Sequence, residues 1–352
     1  MIFNWTILHK LNNIIIFVEM KERVLITGGS GLIGSKLTKK LLNSGFEVVH
    51  LTRAKNSKHD IKTYEWDWGK NYLDERCLEN TKHIIHLAGA GIAEKPWTTR
   101  RKEIIVKSRV LTTRLLHKAI EENNHDITSF VTASGIGFYG AITNEIVHTE
   151  NHPPYKDFIG NCCEQWERSA DLFLKNAKVL KLRLGIVLDE NEGALPKISS
   201  MIKKGLGSPI GRGNQYMPWV HVDDVVSVFF NAINQKIPAG TYNVVSSQHV
   251  NNEELTHAIA KALNKKIRLP NVPSFVLKFI YGELADILLE GVKVSNKKIR
   301  LPNVPSFVLK FIYGELADIL LEGVKVSNEK IMSAGFQFKY DNLEEALNEI
   351  YN

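Results

Sequence analysis

The sequence predicts an α/β protein built around a doubly wound parallel sheet. Two observations support this prediction: short β-branched runs alternate with helical stretches from Arg23 onward, and a glycine-rich turn joins the first of these runs to a helix. The chain has 352 residues, 44% of them hydrophobic, which is enough to bury one large or two modest cores. We therefore expect a folded chain rather than a disordered one.

The predicted elements follow the chain in strand-helix-strand order. The first strand covers residues 23–27, and a helix then continues to Ser44. Further strands are predicted at residues 47–51, 84–87, 129–133 and 179–184, with long helices at 98–123 and 162–176. The Gly- and Pro-rich segment 205–218 predicts a loop over a site.

The first nineteen residues are expected to lie outside this fold. Their apolar run, 14–18, is too short to span a bilayer, no small-residue cleavage site follows it, and a second methionine, Met20, precedes the first strand. We therefore divide the chain into an extension (1–19), a core (20–245) and a C-terminal domain (246–352). Stable membrane insertion is not expected.

The C-terminal domain contains a perfect tandem repeat. Residues 265–296 recur letter for letter as 297–328. Two identical copies do not make a solenoid, which needs about three or more degenerate units. Each copy has an amphipathic stretch, 275–289 or 307–321, and only one of them can fill a single groove in a core, so we expect one copy to be surplus.

Charge and cysteine content limit the classes of partner. The net charge is +7, but 45 Lys and Arg are scattered among 38 Asp and Glu without a long basic run, which favours a solvated surface over a nucleic-acid footprint. Cys77, Cys162 and Cys163 include an adjacent pair, which rarely meets disulfide geometry. A reduced, cytoplasmic setting and a small-molecule substrate are expected, and a homodimer is compatible with the sequence.

The glycine-rich turn is the strongest functional signal. The run Thr27-Gly-Gly-Ser-Gly-Leu-Ile-Gly34 places Gly28, Gly31 and Gly34 where a strand becomes a helix. Gly28 permits the tight turn, Gly31 lets the backbone approach a pyrophosphate, and Gly34 lets helix and strand pack closely. The expected dinucleotide contacts in this run are Thr27, Gly28, Gly29, Ser30, Gly31, Leu32, Ile33 and Gly34.

The end of the second strand predicts which dinucleotide binds. An NAD site usually has an Asp or Glu there for the ribose 2′-hydroxyl. This sequence has Thr52-Arg53 instead, and Arg53 can pair with a 2′-phosphate. NADP is therefore favoured over NAD, with an exposed loop arginine as the alternative interpretation.

A later strand ends in His86-Leu-Ala-Gly-Ala90. Its small residues allow a ligand to lie against the backbone at Leu87, Ala88 and Gly89, although a tight strand-to-loop turn would produce the same pattern.

Together with Thr132-Ala-Ser-Gly-Ile-Gly-Phe-Tyr-Gly140 and Trp219-Val-His-Val-Asp-Asp224, these motifs resemble the extended short-chain dehydrogenase/reductases. Ser108-Arg109, Gln165-Trp-Glu167 and 334–338 resemble, more narrowly, an atypical NAD(P)-dependent epimerase/dehydratase-like family with a C-terminal domain of unknown function. The resemblance implies a Rossmann-type core with a smaller, interleaved C-terminal substrate lobe, and it adds Arg109 to the cofactor contacts. It implies no particular substrate.

The superfamily's catalytic pair is missing. It consists of a tyrosine and a lysine four residues later, which lowers the pKa of the tyrosine and holds the nicotinamide ribose. None of the ten tyrosines is followed by lysine at that spacing, and the expected segment offers Phe158 or Ile159 and then Cys162 or Cys163. Ser134, at a strand end, and Tyr139 are the remaining candidates for polarising a substrate oxygen, with strand-end capping and aromatic packing as their respective alternatives.

Other candidate residues carry weaker signals. Cys162 and Cys163 would act as nucleophiles only if their pKa were lowered, and small buried hydrophobic residues are the favoured interpretation. Arg183 and Arg212 are candidates for binding substrate. His221 is a third, while the adjacent Asp223 and Asp224 are expected to cap a helix that begins near Val225. No metal site is predicted.

Two functions remain open from sequence. The first is an NADP-dependent oxidoreductase or epimerase acting on a small carbonyl or sugar-like compound, with Ser134 and Tyr139 polarising the oxygen. The second is a regulatory or sensor protein that holds NADP(H) without efficient catalysis, as the missing pair suggests. A structural remnant that binds no dinucleotide is disfavoured by the intact glycine motif.

Overall fold

A computed structural model describes residues 5–11, 14–19, 21–53, 61–205, 207–267, 310 and 314–351. The strands are β1 Trp5–Leu11, β2 Ile14–Glu19, β3 Arg23–Thr27, β4 Glu47–Thr52, β5 Lys62–Asp67, β6 Tyr72–Leu73, β7 Thr81–His86, β8 Ser129–Gly135, β9 Val147–His148, β10 Lys178–Leu184, β11 Ile186–Leu188, β12 Trp219–His221, β13 Gly240–Val244 and β14 Lys325–Val326.

The α-helices are α1 Leu32–Asn43, α2 Thr99–Glu122, α3 Phe158–Ala170, α4 Leu195–Lys203, α5 Val222–Ile233, α6 Asn252–Ala262, α7 Asp318–Leu321, α8 Glu329–Ser333 and α9 Leu343–Tyr351. Short 3-10 turns cover Glu75–Leu78, Ile136–Tyr139, Asp171–Lys175 and Gly314–Ala317. None of the described helices is long and apolar enough to cross a membrane.

The centre of the molecule is an eight-stranded sheet in the order β13-β10-β8-β7-β3-β4-β5-β6. All neighbours in it are parallel except β5 and β6. The chain runs outward from β3 through β4 and then returns to β7 on the other side of β3, which creates a topological switch point. The predicted doubly wound fold is confirmed.

The strand sequences explain why helices cover both faces of the sheet. Val24, Leu25 and Ile26 are all fully buried, as expected for a parallel strand enclosed on both sides. Val24 and Ile26 belong to the apolar cluster that contains the buried residues of α1 and α5, whereas Leu25 belongs to the cluster that contains those of α2. The alternation of side chains along β3 therefore separates the two layers.

The predicted strands and helices agree well with the observed ones near the centre of the large sheet and less well at its edges. The predicted strand 23–27 coincides with β3, and the predicted helix 98–123 with α2. Helix α3 begins four residues before the predicted start because Asp157 caps it, accepting a hydrogen bond from the Gly160 amide at 2.7 Å. Within the large sheet, strands β5, β6 and β13 were not predicted; β5 alternates polar residues with buried aromatic ones and lies near the edge of the sheet. The short strands β9, β11, β12 and β14 outside this sheet were not predicted either.

The N-terminal and C-terminal regions are organised separately. Strands β1 and β2 form their own antiparallel pair, which is not part of the large sheet. In the C-terminal region, the second repeat copy contributes the buried residues Leu316, Ala317, Val324 and Val326, and β14 pairs with β9. Residues 268–296 of the first copy, and the amphipathic stretch 275–289 within them, lie outside the described residues. The pairing of β14 with β9 interleaves the C-terminal lobe with the core.

Candidate functional site

The turn between β3 and α1 is shaped to receive a phosphate group. Gly28 has a φ of +71°, which favours glycine, and a Cβ on Gly34 would lie 2.7 Å from the Gly29 Cα. Helix α1 has Gly31 as its N-cap, without a side-chain cap and without an acidic residue in its first turn. No acidic side chain therefore neutralises the dipole at the N-terminus of α1, as in sites for anionic groups.

Gly29, which follows Gly28 in the glycine-rich run, packs directly against the buried ring of His50. A Cβ on Gly29 would lie 2.5 Å from His50, which projects from β4. His50 Nε2 lies 2.8 Å from Thr38 Oγ1, so the ring is tied to α1. Close packing on His50 explains the need for glycine at position 29, while Ser30 stays exposed and Leu32 and Ile33 are half-buried.

Hydrogen bonds join this turn to the end of β7. The amides of Leu87 and Ala88 both donate to Thr27 Oγ1, at 3.2 and 3.1 Å. Because this oxygen accepts two hydrogens, its own hydrogen points to His86 Nδ1, 2.8 Å away. His86 then carries its proton on Nε2, which lies 3.3 Å from Thr112 Oγ1.

Complete burial lowers the pKa of His86 to about 3, so the ring is neutral. A Cβ on Gly28 would also lie 3.0 Å from the Leu87 carbonyl carbon. The two segments predicted to contact a cofactor, 27–34 and 87–89, are thus brought together.

Arg53 lies just beyond β4 and is exposed. Among the described residues it has no recorded hydrogen bond or ion pair, and no acidic residue ends this strand. Its guanidinium group is therefore available for a ligand at the β4 side of the switch point.

Arg109 projects from α2 into the space behind Gly89. Its Nη1 donates to the carbonyl oxygens of Ala90 at 3.0 Å and Ile105 at 2.9 Å, and its guanidinium carbon lies 4.9 Å from the centre of the Trp166 ring. Only 6% of the residue is exposed. A Cβ on Gly89 would lie 2.9 Å from the guanidinium carbon, so a larger residue at position 89 would displace the Arg109 side chain.

Ser134 and Tyr139 belong to one buried network. Ser134 Oγ donates to Glu167 Oε1 at 2.8 Å, and Arg183 binds both oxygens of the same carboxylate at 2.8 Å. The remaining Arg183 amino group donates to the Tyr139 hydroxyl oxygen at 2.8 Å. The Tyr139 hydroxyl donates in turn to Asn243 Oδ1 at 2.7 Å. The structure therefore brings together both predicted catalytic residues and the predicted substrate residue Arg183.

Charge in this network is balanced within the protein. Burial raises the pKa of Tyr139 to about 12, although the neighbouring Arg183 opposes the change. Burial by itself would lower the pKa of Arg183, but the hydrogen bonds and charge of Glu167 outweigh it and the pKa rises. At neutral pH Tyr139 therefore keeps its proton, and Arg183 is neutralised by Glu167.

Helix α3 shows which residues occupy the positions of the missing pair. A Cβ on Gly137 would lie 2.7 Å from Ile159, and one on Gly135 would lie 3.9 Å from the Cys163 sulfur. Ile159 and Cys163 thus face the end of β8, whereas Phe158 packs edge-on against Trp97. Of the two alternatives that the sequence left open, the structure selects Ile159 and Cys163.

Neither cysteine has an activated thiol. Burial raises the pKa of Cys163 to about 12, and it also raises that of Cys162, although Arg109 opposes the change in both cases. The thiolate forms are disfavoured, which supports the interpretation of both residues as small buried side chains.

His221 and its neighbours hold the C-terminal segment. His221 Nδ1 accepts from the Asp223 amide at 3.2 Å and caps α5, which begins at Val222. Asp224 accepts from the amides of Lys339 and Tyr340 at 2.7 and 3.0 Å. The prediction that both aspartates cap a helix starting near Val225 is therefore wrong: His221 is the cap and Asp224 anchors a distant segment.

His221 is buried against the Tyr340 ring, 4.1 Å between centroids, and makes no recorded contact with the Ser134 network. Arg212 is exposed in a loop that packs on the start of α6, where a Cβ on Gly213 would lie 3.1 Å from Glu253. The structure does not bring either residue to Arg183. Within the described part of the chain, no group of three or more His, Cys, Asp and Glu could hold a metal ion.

Sequence reasoning missed Glu167 and Asn243, the two residues that complete the network. Glu167 is 5% exposed within an otherwise apolar helix face, and Asn243 is fully buried in β13. The amide of Asn243 also bonds Glu150 at 2.7 Å. A signal existed for Glu167, which belongs to the Gln165-Trp-Glu167 motif, but β13 was not predicted and Asn243 gave none.

Comparisons with known proteins agree with this geometry. Residues 24–245 match the model of the NAD dependent epimerase/dehydratase family, and residues 304–350 match that of a domain of unknown function, DUF1731. An epimerase family protein SDR39U1 from Mus musculus is 32% identical over 277 residues, which cover 77% of this chain and 91% of the relative. A chloroplastic SDR39U1 homolog from Arabidopsis thaliana is 31% identical over 283 residues, covering 78% and 80%.

A solved structure is also similar. The crystal structure of human epimerase family protein SDR39U1 (isoform 2) with NADPH superposes with a TM-score of 0.74 at 26% identity, covering 94% of this chain and 99% of the human one.

Proposed function

Because this chain belongs to the NAD-dependent epimerase/dehydratase family, we propose that it binds NADP(H) and uses it in hydride transfer with a small carbonyl or sugar-like substrate. The observation that carries the proposal is the turn between β3 and α1, where Gly28 has a positive φ and Gly34 leaves no room for a Cβ. Such a turn fits a pyrophosphate, because glycine lets the ligand approach the backbone and the N-terminus of α1 follows directly.

The preference for the phosphorylated cofactor rests on the end of β4. Arg53 is exposed there without a described partner, and a guanidinium group can bind a 2′-phosphate through two hydrogen bonds. The human relative was crystallised with NADPH, which supports the same choice.

Titration with the two nucleotides tests this preference. We expect tight NADPH binding and much weaker NADH binding, followed by nucleotide fluorescence. In Arg53→Ala, NADPH binding should weaken about 10- to 100-fold, because a charge-assisted phosphate contact contributes about 1.5–3 kcal/mol, while NADH binding stays the same.

Arg114→Ala is the matched control, since Arg114 is an exposed arginine on α2. Equal weakening of both nucleotides in Arg53→Ala would contradict a role in 2′-phosphate recognition. If neither nucleotide binds the wild-type protein, the proposed function is wrong.

The bound cofactor would supply or accept the hydride, and the protein must then handle a proton on the substrate oxygen. Tyr139 keeps its proton at neutral pH because burial raises its pKa, so it fits the role of a proton donor better than that of a base. Ser134 could polarise the oxygen only by giving up its hydrogen bond to Glu167.

One set of observations favours a second candidate function, an NADP(H)-binding regulatory or sensor protein without efficient catalysis. Ile159 and Cys163 cannot exchange protons as a tyrosine and lysine do, and the polar groups of Ser134 and Tyr139 are already bonded within the protein.

Oxidation of bound NADPH by a panel of carbonyl compounds separates the two functions. If the protein is an enzyme, we expect NADPH turnover with at least one compound. This turnover should fall at least tenfold in Tyr139→Phe or Ser134→Ala, while NADPH affinity is retained. Tight binding with no turnover above that of free NADPH across the panel favours the binding protein.

A further inference from the structure

The ring of His148 lies where the core meets the C-terminal lobe, next to the Ser134 network. His148 ends β9, which pairs with β14 of the C-terminal lobe. Its ring packs on the Tyr139 ring, with 5.1 Å between centroids and the planes 30° apart. It also packs edge-on against the His152 ring at 5.0 Å. His148 is therefore a direct neighbour of a candidate catalytic residue.

Both ring nitrogens of His148 are buried and have no hydrogen-bond partner among the described residues. The residue as a whole is half-buried, because it lies on a short strand next to the exposed Val147. The buried rings of His83 and His86 differ, since each of their nitrogens has a recorded partner. Within the described ranges, no other histidine has two buried nitrogens left unpaired.

A buried imidazole without hydrogen bonds is unfavourable, because its nitrogens lose the bonds that they make with water in the unfolded chain. The Tyr139 hydroxyl does not replace those bonds, since it donates to Asn243 and accepts from Arg183. A ligand that reaches His148 would therefore gain hydrogen bonds for which the protein has no competing group.

The state of the ring determines which ligand it can take. Burial lowers the pKa of His148, and the adjacent His152 acts in the same direction, so the ring is neutral at pH 7. A neutral imidazole offers one N–H donor and one nitrogen acceptor, and the two point in different directions. Two hydroxyl groups are complementary to it, one accepting from the N–H and the other donating to the unprotonated nitrogen.

The cations that flank this position are already neutralised. Arg183, beside Tyr139, binds both carboxylate oxygens of Glu167. Lys325, on β14, pairs with Glu145. Neither cation is left for the charge of an anionic substrate.

A carboxylate on the same side further disfavours an anion. Glu150, two residues after His148, accepts from the Asn243 amide at 2.7 Å, and the side chain of Asn243 accepts from Tyr139. A phosphate or carboxylate group bound at His148 would be repelled by this negative charge, whereas a neutral hydroxyl group would not.

We propose that His148 is a substrate-binding residue, and that its two ring nitrogens hydrogen-bond hydroxyl groups of a neutral, polyhydroxylated carbonyl compound. This inference rests on the proposed function and specifies the substrate class. Ligands of doubly wound sheets bind in the crevice outside the carboxyl ends of the strands, where Tyr139 follows β8. No proton transfer is assigned to His148.

Three ketones with the same three-carbon skeleton test this substrate class. Dihydroxyacetone carries two hydroxyl groups, acetone carries none and pyruvate carries a carboxylate. Each is titrated by calorimetry into protein saturated with NADP⁺, which has no hydride to donate, so that binding is measured without turnover. We expect dihydroxyacetone to bind at least about tenfold more tightly than acetone or pyruvate.

Substitutions at His148 locate the contact. His148→Phe keeps a ring that packs on Tyr139 but removes both nitrogens, so dihydroxyacetone affinity should fall about tenfold, while acetone affinity changes less than about twofold and NADP⁺ affinity stays the same. His148→Gln keeps a donor and an acceptor and should recover part of the loss. His257→Phe, at an exposed histidine of α6, is the control and should change no affinity.

The wild-type protein provides a measurement that does not depend on the variants folding. Thermal unfolding is recorded for each variant, and the ring nitrogens of ¹⁵N-labelled histidines are observed by NMR. Saturation with dihydroxyacetone should shift the His148 signals and leave those of His257 in place. The His148 signals are identified by their absence in His148→Gln or His148→Phe.

Equal binding of the three ketones, or tightest binding of pyruvate, overturns the inference. So does an unchanged ratio of dihydroxyacetone to acetone affinity in folded His148→Phe, which is the result expected if the ring only packs on Tyr139. Unshifted His148 signals at saturation overturn it as well. If NADP⁺ binds and these ketone results fail, only this inference is lost; if no nucleotide binds, the proposed function fails with it.

Discussion

The ion pair between Arg183 and Glu167 belongs to the candidate functional site and also to the buried interior of the protein. Both side chains are buried, and together they hold the hydroxyl groups of Ser134 and Tyr139. Removing one partner would leave an uncompensated charge in the interior, which is more damaging than removing both.

We expect Glu167→Leu and Arg183→Met each to lower the free energy of unfolding by about 3–5 kcal/mol. The double variant should be less destabilised than the sum of the two, because neither charge is then left unpaired. Urea denaturation at pH 7 measures all three values.

The control lies on the same helix. Glu164 pairs with Arg168, but Arg168 is 74% exposed, so Glu164→Gln should cost less than about 1 kcal/mol. Additive effects of the two buried substitutions would contradict a coupled pair.

The sequence predicts the roles of some single residues well and the contacts of others poorly. The roles expected of Gly28 and Gly34 depend on local backbone geometry, so a motif is enough to find them. The partners of Ser134 and Tyr139 come from α3, β10 and β13, which are distant in sequence, and no local pattern identifies them.

At the scale of elements, the β3-turn-α1 unit could be predicted almost completely. Its strand is an uninterrupted apolar run, its turn is glycine-rich, and its helix has apolar residues at helical spacing. These signals are local and reinforce one another, so the predicted and observed boundaries agree.

Helix α3 shows the opposite case. Its existence could be predicted, but its rotation about its own axis could not, because Phe158, Ile159, Cys162 and Cys163 offer two apolar pairs at the same spacing. Packing against the turn after β8 selects Ile159 and Cys163, and it turns Phe158 toward Trp97. Which residues replace the catalytic pair is therefore a tertiary property.

At the scale of the whole molecule, the repeat poses the question of which copy fills the groove beside β9. Val326 of the second copy is fully buried in β14, and Asn328 donates to the Val245 carbonyl oxygen at 2.9 Å. The corresponding first-copy residues are identical in sequence and lie outside the described residues.

Identical substitutions in the two copies provide a matched test. We expect Val326→Asp to lower the unfolding free energy by more than about 3 kcal/mol, because it buries a charge without a partner. The same change at the equivalent position, Val294→Asp, should alter it by less than about 0.5 kcal/mol. Thermal or urea unfolding of the full chain measures both.

The outcome identifies the copy that packs. A large loss only in Val294→Asp would place the first copy in the groove, contrary to our expectation. Small losses in both variants would show that the copies can replace each other.

The sequence by itself determined the alternation of strands and helices along the chain, the glycine turn, the family and the absence of a tyrosine-lysine pair. Each of these is encoded in residues that are close together in the chain, where periodicity and backbone geometry act locally. Only the tertiary structure decided that Glu167 neutralises Arg183, that Arg109 packs beside Gly89 with no carboxylate partner among the described residues, and that His221 and Asp224 anchor the C-terminal segment. These facts depend on which distant side chains meet in the interior, where burial makes every unpaired charge costly.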